Sequence, residues 1–295
     1  MKHIRIIPLV LLVALTASVA FAQTDDREAL KISALEALMA APSERALPIV
    51  KKVLEGDGSD ELKERALFIL SQIDDPEATE LLIDAARNGS GEYRLEALRM
   101  IGISGNEDAM ARLTEIYAAG DADVREAVLE AYLIADDADA VYQIALNTES
   151  ADEFGEAVEM LGAMGATEQL RALQGKSGMS EELIEAYMIA GDVETLMELA
   201  RDSSDPERQA QAVQGLAIAG GDEVHAYLMS IYRDATHEDV KEASLDAMLI
   251  AGYDEGVLEL YRESQDPAEK RELLEMLVVM DSDSVWDLID AALDQ

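Results

Sequence analysis

The chain has no cysteine. That absence excludes disulfides, thiolate nucleophiles and cysteine metal sites, together with any lipid attached through an N-terminal cysteine. Histidine is almost as scarce: past His3 only His225 and His237 remain, too few for a histidine metal site or an acid–base pair. Aromatic residues make up 4% of the chain. Basic residues number 23 against 62 acidic ones, a formal charge of −39. Nucleic-acid recognition needs a basic face and anionic membrane surfaces attract polybasic segments, so neither is expected. A basic protein or peptide, cations or a saline medium all suit such acidity. What is abundant is Ala, Leu, Met and Glu, all good helix formers.

The first residues have a separate character. Lys2, His3 and Arg5 precede an apolar run from Ile6 to Val19, and Ala20-Phe21-Ala22 places small residues where a signal peptidase reads. The run is too short to span a bilayer comfortably. Residues 1–22 therefore read as a secretory signal peptide, with an uncleaved anchor as the alternative. Residues 23–295 are then the folded protein, periplasmic or secreted, without membrane insertion after cleavage. No stretch of that remainder reads as a linker or a second domain.

From there on one punctuation mark recurs. Ala186-Tyr187-Met188-Ile189-Ala190-Gly191-Asp192 ends an amphipathic helix, stops it with glycine and starts the next with an acid. Relatives stand at 132–137, 216–222 and 248–254, with weaker copies at Asp74, Gly105, Gly165 and Asp281. The stops follow one another at 26 to 32 residues, and a period near thirty marks a helical solenoid. Apolar residues recur at helical spacing within each unit, as with Leu30, Ile32, Leu35 and Leu38. Loops such as Asn88-Gly89-Ser90-Gly91 and Asp202-Ser203-Ser204-Asp205-Pro206 separate the helices. The expected fold is all-α: an α-solenoid of about nine two-helix repeats. They cover 27–58, a second unit from Asp60, then units starting at Gly91, Ala122, Ala151, Gly178, Asp205, His237 and Asp266. The unit ending at Ser177 is short, and Gly175-Lys176-Ser177-Gly178 marks an expected irregularity.

Units such as Asp123-Val124-Arg125-Glu126-Ala127-Val128-Leu129-Glu130-Ala131, Asp239-Val240-Lys241-Glu242-Ala243 and Ile73-Asp74-Asp75-Pro76-Glu77-Ala78 resemble the short bacterial HEAT repeat of the phycocyanobilin-lyase type. The resemblance covers about 30–295. It implies the solenoid fold and says little of function, because such repeats serve unrelated roles. It also implies that a basic ladder at Lys63, Arg94, Arg125, Lys241 and Lys270, each eleven residues before a stop, pairs with the acidic turns of neighbouring repeats. The ladder is interrupted at Phe154 and Ser180. The resemblance further implies that second helices line the concave face. Tyr227, Tyr232, Arg233, Tyr261 and Arg262 lie in second helices and form the candidate partner surface, since interfaces favour Tyr and Arg.

Other motifs read as structure. Asp136-Asp137-Ala138-Asp139 and Asp281-Ser282-Asp283 lack the ligand spacing and glycine of a calcium loop and read as helix caps. Position 241 is Lys where His237-Glu238 would need a second histidine for a zincin motif. Gly175-Lys176-Ser177 lacks the first glycine of a phosphate loop. His225 reads as surface-facing, Tyr132 and Tyr187 as core, and the thirteen methionines mostly as core filling. No catalytic residue, metal site or cofactor is expected. The leading expectation is a monomeric, exported, non-enzymatic scaffold that binds a protein or peptide. The alternative is a lyase- or chaperone-like protein acting on a partner, and a salt-adapted surface is compatible with either.

Overall fold

The computed structural model describes residues 27–177, 180–282, 285, 286 and 288–290. The signal-peptide residues and Asp283 lie outside them. Among the described residues every regular element is helical, and no helix is long and apolar enough to cross a membrane. The chain forms two compact units, one through Asp137 and one from Ala138 on.

In the first unit, α1 covers 27–36 and tightens into a 3₁₀ turn at Ala37–Ala40. It is followed by α2 (Ser43–Leu54), α3 (Asp60–Ser71), α4 (Pro76–Asn88), α5 (Gly91–Ser104), α6 (Glu107–Ala119) and α7 (Ala122–Ile134). The second unit continues with α8 (Ala138–Asn147), α9 (Ala151–Ala163), α10 (Thr167–Ser177), α11 (Glu181–Ala190) and α12 (Val193–Arg201). It ends with α13 (Pro206–Ala219), α14 (His225–Asp234), α15 (Glu238–Ile250), α16 (Asp254–Glu263) and α17 (Pro267–Val279). Odd-numbered helices are the first of each pair and even-numbered ones the second: α1–α6 make three hairpins in the first unit with α7 after them, and α9–α16 make four in the second, with α8 before and α17 after them. The fold is an α-solenoid.

Starts and stops follow from the residues at the helix ends. Asp75, Asp205 and Asp266 accept a hydrogen bond from a first-turn N–H, and each is followed by proline at the first helical position. Proline is tolerated there because its missing donor would have had no intrahelical partner. The stops have a common geometry. Gly105, Gly165, Gly191 and Gly252 are left-handed, and so are Asp136 (φ 56°) and Asp281 (φ 52°). At five of these six the next residue's N–H reaches the carbonyl five residues back, as in Asp192 to Tyr187 at 2.9 Å and Asp137 to Tyr132 at 2.9 Å. That is the Schellman bond. Two stops differ. Asp74 is followed at once by the Asp75 cap, and Gly220 is extended, with a 3₁₀ turn at Asp222–Val224 leading into α14. Asp136 and Asp281, read from the sequence as stops, close the helix that precedes. Asp is one of the few side-chain-bearing residues that enter this region readily.

The residue four before each stop anchors the core. Leu70, Ile101, Tyr132, Leu161, Tyr187, Leu216, Met248 and Leu277 are all buried, none more than 1% exposed. Both core tyrosines satisfy their hydroxyls: Tyr132 with Thr114 at 3.1 Å and Tyr187 with Gln174 at 2.7 Å. Methionine fills as expected at Met100, Met110, Met229 and Met248, while Met160, Met188, Met276 and Met280 are half-buried. Where α5 meets α7, Gly102 lets the backbones touch. A Cβ there would lie 2.6 Å from the Ala131 carbonyl oxygen, inside contact distance, and the neighbouring backbone cannot step aside as a flexible side chain would.

Two substitutions test this account. Asp136→Gly removes the left-handed cost and raises stability by about 0.5–1 kcal/mol. Gly102→Ala forces α5 and α7 apart and lowers it by about 1–3 kcal/mol. Urea unfolding followed by circular dichroism reads both, and equal midpoints for the two variants would contradict the assignment.

Candidate interaction surface

Each first helix has its ladder position in its first turns, close to the end of the second helix before it. Arg94 donates from Nε to the Ala86 carbonyl at 2.9 Å, in the last turn of α4. Arg125 lies over the Tyr117 ring at 5.8 Å, Lys241 over Tyr232 at 5.8 Å and Lys270 over Tyr261 at 5.1 Å. These rings sit in the last turns of α6, α14 and α16. A cation there faces the negative end of the helix dipole and the electron-rich ring together. Arg94, Arg125, Lys241 and Lys270 thus stand at helix C-termini, with a carbonyl and rings among their contacts, and Lys241 also lowers the carboxyl of Glu269 in the next repeat. At the same position Gln209 donates to the Ala200 carbonyl at 2.8 Å, a neutral version of the contact.

The interruption at Phe154 is bridged from elsewhere. Lys176, at the end of α10, donates to the carbonyls of Ala145, Leu146 and Thr148 at 2.7, 2.8 and 2.7 Å. Its ammonium also stands 5.6 Å from the Phe154 ring centroid. The end of α8 therefore has its cation although position 154 has none. Gly175 and Lys176, marked as an irregularity by sequence, continue α10 to Ser177.

Salt bridges do link consecutive repeats, through other residues. Lys51 meets Glu77 at 3.7 Å, Arg87 meets Glu115 at 3.0 Å, and Arg233 holds Glu259 at 2.6 Å and Glu263 at 2.9 Å. All join one second helix to the next. Arg171 of α10 reaches Asp192 at 2.5 Å and Glu194 at 3.0 Å. Asp192 is buried, and it also accepts from the Thr195 N–H at 3.2 Å and the Thr195 hydroxyl at 2.8 Å. Burial pushes its carboxyl up. The bonds from Arg171 and Thr195 outweigh that and hold it below the usual range. The Asp192 bond in turn raises the Arg171 guanidinium further.

The five-residue candidate surface is largely occupied from within. Tyr232 is buried, and its hydroxyl donates to Glu269 at 2.7 Å. Burial and that carboxylate both push the phenol up. Tyr227 donates to the Met197 carbonyl at 2.5 Å under the Arg201 guanidinium, and Tyr261 lies under Lys270. Arg233 is engaged with two glutamates. Arg262 remains exposed. These tyrosines tie repeats together because second helices meet their neighbours along that side, and position in the repeat did not distinguish the two roles. His225, expected at the surface, is half-buried and stacks on Tyr253 with centroids 4.2 Å apart. His237 precedes α15 and is exposed. Among the described residues no three His, Asp or Glu side chains converge to hold a metal ion.

With the repeat geometry established, comparison with known proteins adds one positive finding. Residues 50–132 match the family model for HEAT repeats. No curated protein matches in sequence. Two solved structures align over most of the chain at low similarity. One is the complex of CpcE and CpcF of phycocyanin lyase from a Nostoc species, at 20% identity, covering 78% of this chain and 93% of that one, with a TM-score of 0.33. The other is human deoxyhypusine hydroxylase in complex with glycerol, at 17% identity, covering 80% and 99%, also with a TM-score of 0.33.

Two measurements check the inter-repeat links. Lys176→Met leaves three carbonyls without their charged donor and lowers stability by about 1.5–3 kcal/mol, with Lys176→Arg recovering part of it. Asp192→Asn keeps the cap and loses the charge. Because the folded carboxyl lies below its unfolded value, the wild-type advantage is full above the unfolded pKa, near 4. It shrinks as pH falls through the folded value. A stability gap that stays constant from pH 7 to pH 2 would refute the ion pair.

Proposed function

We propose that this protein is an exported, non-enzymatic scaffold that holds a basic protein or peptide on an acidic repeat surface. The observation that carries this reading is the fate of the positive charge. The described basic residues go largely to helix ends and inter-repeat bridges, as Arg94, Lys176, Arg171 and Arg233 do. An excess of 39 carboxylates stays uncompensated. Such a surface raises the local concentration of cationic partners and speeds their encounter.

The stacked hairpins support the same reading, since solenoids present extended surfaces suited to other chains. The two imidazoles beyond the leader are set apart, one stacked on Tyr253 and one preceding α15, which favours binding over acid–base chemistry. The basic start, the apolar run and Ala20-Phe21-Ala22 support export.

The test is affinity capture with residues 23–295 from the native envelope fraction, at low and at high salt. A stoichiometric protein retained at high salt is the expected outcome. A mixture of basic proteins that all dissociate at high salt would reduce the acidity to a generic surface property and defeat the scaffold reading.

A further inference from the structure

Two residues before each stop, the first helix of most repeats carries an exposed aliphatic side chain. In the second unit these are Ile189 (58% exposed), Ile218 (65%), Ile250 (61%) and Val279 (72%). Single exposed aliphatics are ordinary. The same exposed position is occupied in four consecutive repeats, and in the first three it forms a row because α11 packs on α13 and α13 on α15. Nothing in helix stability asks for it, since β-branched residues are poorer helix formers than the Ala, Glu or Lys that would serve at a solvent position.

One turn earlier on the same face stand Glu185, Gln214, Asp246 and Glu275, all exposed. At the end of the row, between the last turns of α15 and α17, opens a groove of about 580 Å³. Leu249, Leu258 and Val279 form its apolar part, and Asp254, Glu255 and Asp281 its acidic part. Apolar contacts and carboxylates thus run side by side.

We propose that this first-helix row is the docking face of the scaffold and that its occupant is a cationic amphipathic helix of a partner protein. The inference rests on the scaffold reading and adds the face and the kind of partner. Neighbouring helices in a stack lie about 8–10 Å apart, and residues seven apart along a helix are separated by about 10 Å. Aliphatic residues at seven-residue intervals can therefore meet Ile189, Ile218 and Ile250 in turn. Lysines or arginines beside them reach Glu185, Asp246 and Glu275, and the last can enter the groove. A second copy of the chain would bring carboxylates against carboxylates. An anionic bilayer would meet the same repulsion.

The probe is a 22-residue helical peptide with leucine at every seventh position, lysines at the positions flanking the leucine stripe, and a fluorescent label. A scrambled peptide of identical composition is its control. Fluorescence anisotropy at 150 mM salt is expected to show at least tenfold tighter binding of the patterned peptide. The triple variant Ile189→Ser, Ile218→Ser, Ile250→Ser should abolish that preference. Its melting curve should stay unchanged, because the three side chains are exposed. Equal binding of patterned and scrambled peptides overturns the proposal, and so does a preference that survives the triple variant. Sedimentation is the third arm: dimerisation of the wild type, lost in the triple variant, would assign the row to a second copy and also overturn it. If envelope capture yields a salt-resistant partner whose binding the variant leaves intact, the scaffold stands and this face falls.

Discussion

A two-helix hairpin has more apolar surface than it can cover with its own two helices. Everything else in this protein depends on that deficit. The residue four before each stop is buried in eight repeats, whether it is Leu, Ile, Tyr or Met. Volume there varies, so the core is conserved as a position in the repeat more than as a residue type. Burial of such side chains contributes about 1.5–3 kcal/mol each, and repetition accumulates it without disulfides. Gly102 shows how little slack the arrangement leaves, since even a methyl group would strike the adjoining backbone.

The second constraint is electrostatic. Stacked hairpins bring helix C-termini, with their unpaired carbonyls and partial negative charge, against the next repeat. In a chain this acidic each such end needs a donor. Arg94, Gln209 and Lys176 supply one to carbonyls, and Arg125, Lys241 and Lys270 stand over rings in the same last turns. The scarce cations are thus placed where a lost contact would expose backbone, and the surface is left to carboxylates.

Much of the architecture was legible in the sequence. The stops, the Asp-Pro starts and the helical periodicity are local signals, and local backbone chemistry realises them directly. The ladder was legible as a position, and the contacts that Arg94, Arg125, Lys241 and Lys270 make with the carbonyl or ring eight or nine residues earlier were not, because a search for opposite charges passes over them. The tyrosines of the candidate surface failed for a related reason. Tyr232 and Arg233 are adjacent in sequence and differ in fate, one buried against Glu269 and one exposed in ion pairs. Only the packing of neighbouring helices separates them. Lys176 was visible as part of a glycine-rich run, yet its reach to α8 spans some thirty residues.

That reach has a consequence for modularity. Repeats that carry their own ladder residue bring the donor for the preceding helix with them, so they are self-sufficient parts. The repeat from Ala151 to Ser177 also serves α8, but through a lysine at its far end instead of a residue at its near end. Excising it would set α8 beside a repeat whose equivalent position is Ser180, a side chain too short and uncharged to take over. This repeat cannot be deleted or moved by cutting at the usual boundaries without orphaning its neighbour. In an array otherwise open to growth and loss, it is a fixed point.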